Sequence, residues 1–187
     1  MGALRLLTTR LELRPWTLAD IDDLMEGLKD MAVARWLARV PHPYSRADAE
    51  AWIRYCEGLV PVERGGKSRE WAISLRSQGQ VIGGVSLERV NQFQGTAGGG
   101  IWLGARYAGN GYGREAFGEK VRHAFEDLGL RRLENGFLAG NDASWRMQEA
   151  LGYRIEGTRR QGLRCLADGR IVDEVLTGLL REEWKRS

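Results

Sequence analysis

Arg106-Tyr-Ala-Gly-Asn-Gly-Tyr-Gly-Arg-Glu-Ala116 sets three alternate glycines directly ahead of an amphipathic helical pattern. Glycine lets the backbone pass close to a phosphate, and the free N–H groups of a helix's first turn point at an anion along the positive end of its dipole. The stretch therefore reads as an anion site, and spacing narrows its owner. A nucleotide-triphosphatase loop ends in Gly-Lys-Ser/Thr, whereas Gly113 is followed by Arg114 and Glu115, so the phosphate lysine and the magnesium hydroxyl are both missing. A dinucleotide fingerprint needs glycine at its first, third and sixth places. Counted from Gly109 the sixth is Arg114, and no early strand-turn-helix repeat precedes it. The purely structural alternative is a turn that only joins a strand to a helix.

Outward from the loop, Ala116, Phe117, Val121, Ala124, Phe125 and Leu128 fall on one helical face, Gly118 permits close approach to a sheet, and Gly129 suits a C-cap. Upstream, Trp71–Leu75 and Val81–Leu87 flank a turn at 77–79 and read as a hairpin, with a third strand near 99–104. Earlier, Leu11–Arg14 alternates as a strand that ends at Pro15, and Thr17 with Asp20 has capping-box spacing ahead of Ile21, Leu24, Met25 and Leu28. A short helical pattern covers 33–37, and Ser45 with Asp48 caps a further helix carrying Trp52 and Ile53. Downstream come a strand over 130–139, a short helix over 141–151 closed by Gly152, a strand over 153–160, and a last strand over 171–180 ahead of a charged tail. No repeat, linker or low-complexity run divides the chain, so residues 1–187 are expected to form one domain.

A chain of 187 residues with 43% hydrophobic content can bury one substantial core. The net charge is +3, yet only Lys29, Lys67, Lys120 and Lys185 are lysine, and the arginines alternate with acids where a nucleic-acid stripe would be clustered. Nucleic acid is therefore not an expected partner. Cys56 and Cys165 are too few for a disulfide framework and, with His42 and His123, lack metal spacing, so reduced thiols and no metal are expected. Arg5, Arg10, Glu12 and Arg14 break the amino terminus as a signal peptide, no apolar run is long enough to cross a bilayer, and Leu6 stands where myristoylation requires Ser or Thr. A cytoplasmic protein is expected.

The order of elements and the residues together resemble the GNAT superfamily of N-acetyltransferases, and within it the RimJ/RimL-like branch that includes ribosomal-protein N-terminal acetyltransferases. Gly100-Ile-Trp-Leu103 followed by Tyr107–Ala116 is similar to that branch's splayed fourth strand and pyrophosphate loop. Asn141-Asp-Ala-Ser144, ending in Leu151-Gly-Tyr153, is similar to its Asn-x-x-Ser and Leu-Gly-Phe segment, and 169–184 resembles its closing strand. The match covers nearly the whole chain. It implies an α/β (α+β) fold, a mixed and mostly antiparallel seven-stranded sheet with helices on both faces and a splayed fourth strand. It also implies acetyl-CoA as acyl donor, a primary amine as acceptor, and a possible homodimer as assembly.

Carried onto this sequence, the resemblance places the cofactor on Ile101, Trp102, Leu103, Gly109, Asn110, Gly111, Tyr112, Gly113, Arg114, Asn141 and Arg146, and makes Ser144 the catalytic residue near the thioester sulfur. Chemistry agrees with this. The loop N–H groups offer charge-assisted hydrogen bonds to a pyrophosphate. A peptide-like pantetheine arm can pair with an open strand edge, which accounts for Gly98-Gly-Gly100 as a place of close approach; a bulge is the structural alternative. Asn141 also suits a helix N-cap. The expected reaction is direct attack of the amine in a ternary complex, with an oxyanion met by a backbone N–H near Leu103. Because a thiol titrates near 8.5, a hydroxyl such as that of Ser144, or a water, suffices to protonate the leaving group.

Two positions depart from the family pattern. Gly98 stands where many relatives carry a glutamate, leaving Glu88, Glu134 and Asp173 as carboxylates to consider for the base, and Ala108 replaces an arginine or glutamine before the loop. Trp36, Tyr44, Trp71 and Phe93 are candidate walls for the acceptor. The missing carboxylate is also what a non-catalytic acyl-CoA sensor would show, and a longer acyl-CoA is a further alternative.

Overall fold

The computed structural model describes residues 4–185. In chain order the elements are β1 (Leu6–Leu7), β2 (Leu11–Arg14), α1 (Ile21–Leu28), α2 (Met31–Ala34), α3 (Arg46–Glu57), β3 (Arg69–Leu75) and β4 (Val81–Asn91). They continue with β5 (Thr96–Gly98), β6 (Ile101–Leu103), α4 (Tyr112–Arg122), β7 (Arg132–Leu138), α5 (Asp142–Ala150), β8 (Arg154–Arg164) and β9 (Ile171–Leu180). The strands lie in the order β1-β2-β3-β4-β5-β7-β9-β8, with β6 pairing β4 off that path. Among the described residues only β5 and β7 run parallel; every other pairing is antiparallel.

Among the described residues nine strands stand where seven are expected, for two local reasons. Leu6 and Leu7 add a two-residue strand paired to Leu13 and Glu12. The expected fourth strand is cut in two because Gly99 has φ +120, a conformation that only glycine adopts easily and that no ladder residue holds.

The capping boxes read from the sequence are present. The Ser45 hydroxyl accepts from the Asp48 N–H and the Asp48 carboxylate accepts from the Ser45 N–H, starting α3. Asp20 closes the equivalent box on Thr17 and also takes a bidentate Arg14 at 2.7 and 2.8 Å. Two cores follow from the alternation of the strands. Trp16, Leu24, Leu28, Ile53, Ala72 and Val81 bury α1 and α3 on one face. Leu11, Trp71, Ile73, Val85, Leu87, Phe117, Val121 and Phe125 bury α4 on the other, at about 1.5–3 kcal/mol per fully buried large side chain. Trp71 is 1% exposed and meets His123 edge-on, so this candidate acceptor wall belongs to the core instead. Past Arg122 the helix widens into a π-turn over 123–127 before Gly129, at φ +67, ends it. Among the described residues no helix is long and apolar enough to cross a membrane.

Candidate functional site

The glycine stretch folds as an open loop that delivers the chain into α4. Gly109 and Gly111 both have φ +79, where a side chain is strained, and Gly111 is the residue ahead of the helix. The Glu115 N–H is the first to bond back, to the Gly111 carbonyl at 3.1 Å. The six preceding backbone N–H groups, from Gly109 to Arg114, donate to none of the described residues. A run of free donors at a helix N-terminus is an anion cradle.

The loop's shape is held from outside. Arg10, one residue before β2, donates Nη1 to the Asn110 carbonyl at 3.0 Å, Nε to Glu115 at 2.7 Å and its own N–H to Glu115 at 2.8 Å, and stacks 4.4 Å over the Tyr112 ring. The Asn110 side chain turns inward to the carbonyls of Ala108 and Tyr107, at 3.0 and 3.4 Å. Glu115 would oppose an anion at this place. Burial pushes its carboxyl up, but the Thr8 hydroxyl at 2.6 Å and Arg10 outweigh that and hold it below the usual carboxylate range, ionised and matched by the guanidinium. Arg114 and Arg146 are exposed and have no acidic partner among the described residues. No sequence pattern marks Arg10 for this work, because it acts across 105 residues.

The loop continues a split in the sheet. β5 pairs with both β4 and β7, whereas β6 pairs with β4 alone. In the β4–β6 ladder Gly84 faces Trp102, and the flanking bonds run from the Gly104 N–H to Ile82 and from the Ser86 N–H to Gly100. Antiparallel alternation then spends the Trp102 backbone on β4 and turns the N–H and C=O groups of Ile101 and Leu103 toward the opening. The Trp102 ring stacks on Trp16 with centroids 6.5 Å apart and lies 2.7 Å from where a Gly27 Cβ would stand. Of Gly98, Gly99 and Gly100, the first two are required by the protein itself. A Cβ at Gly98 would lie 2.7 Å from the Glu134 carbonyl and one at Gly99 would lie 2.2 Å from that of Ser86, while Gly100 faces open space.

Across the opening, α5 begins at Asn141, whose Oδ1 accepts from the Ser144 N–H at 3.2 Å. The N-cap reading of Asn141 therefore holds, and its amide NH2 is left over. The Ser144 hydroxyl accepts from Gln148 Nε2 at 3.1 Å, and Gln148 Oε1 accepts from the Thr177 hydroxyl at 2.6 Å. Met147, from the next turn, comes within 3.6 Å of where a Gly113 Cβ would stand, so loop and α5 share one wall.

A free loop, an unpaired strand edge and a capped helix thus meet at one split in a mixed sheet. Residues 10–154 match the model of the acetyltransferase (GNAT) domain. The chain belongs to the GNAT acetyltransferase family. Protein p20 of Bacillus licheniformis, an uncharacterized N-acetyltransferase, is 27% identical over 179 residues, covering 96% of this chain and 97% of that protein. YdaF of Bacillus subtilis (strain 168), provisionally named a ribosomal N-acetyltransferase, is 28% identical over 158 residues, covering 82% of this chain and 80% of that protein. Among solved structures, Mycobacterium smegmatis RimJ in complex with CoA-disulfide shares the fold with a TM-score of 0.77 at 23% identity, covering 92% of this chain and 83% of that one.

As a GNAT acetyltransferase the protein uses acetyl-CoA, and its residues fit that donor: six free N–H groups suit the pyrophosphate and the open edge of β6 suits an amide-bearing arm. On the far side of the split lies a cleft of about 640 Å³ lined by Arg39, Glu88, Arg89, Gly100, Glu134 and Thr177 among others. Glu88 accepts from the Ser86 hydroxyl at 2.9 Å and faces two exposed guanidiniums, Arg89 at 3.3 Å and Arg39 at 3.5 Å. The same Ser86 hydroxyl accepts from the Gly100 N–H at 2.9 Å, which ties Glu88 to the strand break. Glu134, by contrast, is half-exposed beside Arg132, and Asp173 is occupied by the Gln161 N–H at 2.7 Å on the β8–β9 ribbon. Phe93 is 94% exposed on the hairpin after β4, and Tyr44 packs with Trp52 and Cys56 against the α1–α3 core.

Sequence reasoning passed over Glu70, which pairs with Ser86 across β3 and β4 and whose side chain makes no hydrogen bond to a described residue. Burial and the neighbouring Glu88 push its carboxyl up to about 8, against a smaller opposing pull from Arg39. Its place in the alternating Glu70, Ala72, Ser74 row of β3 was the available signal.

Proposed function

We propose that the protein transfers an acetyl group from acetyl-CoA to a primary amine by direct attack, with both substrates held at the split between β6 and β7. The single observation that carries this reading is the continuity of the six free N–H groups of 109–114 with the unpaired edge of β6, which together fit one long ligand of pyrophosphate and amides. Gly109, Asn110, Gly111, Tyr112, Gly113 and Arg114 hold the pyrophosphate, with Arg146 as a second cation. The outward N–H and C=O groups of Ile101 and Leu103 and the spare NH2 of Asn141 take the arm, while Trp102 braces the strand. A Leu103 or Ile101 N–H meets the developing oxyanion. The amine's nitrogen bonds to the acetyl carbon, the carbon–sulfur bond breaks, and the Ser144 hydroxyl gives the departing sulfur a proton, as a weak acid can for a thiol of ordinary pKa near 8.5.

The acceptor approaches through the Glu88 cleft. The name borne by YdaF, and the RimJ/RimL-like motifs, favour a protein α-amino group, which titrates near 8 and so loses its proton more readily than a lysine near 10.4. Steady-state thiol release with acetyl-CoA and a panel of peptides and small amines tests the reading. Ser144→Ala is expected to slow turnover by about 10²-fold without abolishing it.

One observation favours a second reading. The Arg89 guanidinium occupies the space of a Gly98 side chain, where many relatives carry a carboxylate. A protein that binds acetyl-CoA tightly and releases no thiol with any amine would be the acyl-CoA sensor.

A further inference from the structure

Gln148 is fully buried in the last turn of α5, four residues after Ser144 and just ahead of the core residues Leu151 and Tyr153. A buried amide carries two donors and an acceptor that must find partners. Here it finds two, and both lead somewhere. Its Nε2 donates to Ser144 Oγ at 3.1 Å, and its Oε1 accepts from Thr177 Oγ1 at 2.6 Å. Thr177 is 2% exposed, lies on β9 between Asn135 of β7 and Ile155 of β8, and belongs to the floor of the acceptor cleft.

The direction of these bonds matters more than their number. A primary amide can face a serine with its NH2 or with its carbonyl. Facing it with the NH2 fills a lone pair of the hydroxyl and leaves the serine proton free to donate elsewhere. Facing it with the carbonyl takes that proton away. In this structure the Thr177 hydroxyl donates to Oε1, which goes with the first arrangement. Ser144 is held at its other end by the Asn141 cap on its N–H. Its hydroxyl thus has one acceptor site filled, and its proton is committed to no described residue.

We propose that Gln148 and Thr177 form a polarity lock that keeps Ser144 as a hydrogen-bond donor toward the leaving thiolate. The inference rests on the transfer reading above. Gln148 touches neither substrate; it is a positioning residue that acts through Ser144, and Thr177 acts through Gln148. The lock moves no proton of its own. The proton given to sulfur is the serine's, and the serine recovers one from the amine side or from water.

The test is a double-mutant cycle with the full-length protein. Gln148→Met keeps the volume and removes the amide; Thr177→Val keeps the shape and removes the hydroxyl. Gln148→Met is expected to lower kcat about tenfold while the Kd for CoA, read by calorimetry, moves less than twofold. In a Ser144→Ala background the same change is expected to lower kcat less than twofold, since nothing remains to be oriented. Thr177→Val is expected to act in the same direction and Thr177→Ser to recover most of the loss, because serine restores the donor. A structural role would lower kcat equally in both backgrounds, and that additivity would overturn the proposal, as would a Gln148→Met enzyme within twofold of wild type. Wild-type protein that releases no thiol with any amine would instead overturn the transfer reading. In that case the lock still predicts that the side-chain NH2 resonances of Gln148 shift in both Ser144→Ala and Thr177→Val, and unmoved resonances would overturn it.

Discussion

Arg89 stands in for the side chain that Gly98 lacks. A Cβ built on Gly98 would lie 2.0 Å from Arg89 Nη2 and 2.7 Å from the backbone carbonyl of Glu134. Arg89 reaches that place from a bulge in the β4–β5 pairing, with φ +53, and bonds to Glu88 at 3.3 Å on the way. The cleft beside the strand break is therefore built from a carboxylate on β4 and a guanidinium, and no side chain from β5 enters it at Gly98.

A first prediction follows from which of those two neighbours can yield. The arginine is the far end of a flexible chain, but the Glu134 carbonyl belongs to β7, the parallel partner of β5. Gly98→Ala is expected to destabilise by about 1–3 kcal/mol, as overpacking does. The Arg89→Ala, Gly98→Ala double variant should recover little, because the carbonyl stays. Urea titration of the three variants checks this; full recovery in the double variant would show that the arginine alone sets the limit.

The strand break also shows where sequence reading stops. The last strand was legible to its ends, 171–180, and so were the capping boxes at Ser45 and Thr17, because those signals are local. The glycine turn at 109–111 ahead of α4 is legible for the same reason. Gly98-Gly-Gly100 looked like room for a ligand, whereas the structure divides the run: two glycines accommodate the protein's own carbonyls, and one faces open space. That division depends on Ser86 and Glu134, which no local pattern joins to the run. Arg10 and Thr177 are invisible in sequence for the same reason, and Trp71 reads as a cleft wall because aromatic residues look alike in sequence whether they line a pocket or fill a core. Gln148 left a trace, a polar residue on the apolar face of a short helix.

The clamp on the loop is open to a second prediction. Glu115 lies in the first turn of α4, where its charge would meet an incoming pyrophosphate, and Arg10 neutralises it. Arg10→Ala is expected to weaken CoA binding about tenfold, roughly 1.4 kcal/mol, by freeing the Asn110 carbonyl and exposing the carboxylate. Adding Glu115→Ala should restore part of the affinity by removing the repulsion. Calorimetry with CoA reads both, and a double variant weaker than Arg10→Ala would mean that Glu115 acts on the loop by structure and not by charge.

A third prediction concerns Glu70. Its folded-state carboxyl is pushed up to about 8, chiefly by burial and then by Glu88, from an ordinary value of 4.5. Between those values the folded protein binds more protons than the unfolded chain, so stability falls as pH rises from about 4.5 to 8. The contribution is intact below the unfolded value and lost above the folded one. Glu70→Gln removes the cost of charging, so its gain over wild type should grow across that window, to on the order of 4 kcal/mol. Denaturant titration at pH 5 and pH 9 measures it; an equal difference at both would place the carboxyl at its ordinary value.

Lys120 makes stability depend on pH with the opposite sign. Lys120 on α4 is fully buried, its Nζ lies 4.0 Å over the Phe117 ring, and it has no hydrogen-bond partner among the described residues. Burial pulls its ammonium down to about 7 from 10.5; Glu88 opposes this weakly and Arg89 adds to it. Here the unfolded chain binds the extra proton, so stability rises with pH from about 7 to 10.5, and below pH 7 the protein carries the full cost of a charged or stripped amine in its core. A methionine fills nearly the same volume without that cost, as when buried charges are replaced by apolar groups of similar shape. Lys120→Met is expected to stabilise the protein by on the order of 2 kcal/mol at pH 6 and by little at pH 10. Because α4 follows the loop proposed to hold the pyrophosphate, CoA affinity serves as the control for its packing and should stay within twofold. A variant that is less stable at pH 6 would mean that the ring of Phe117 satisfies the ammonium well enough to repay its burial.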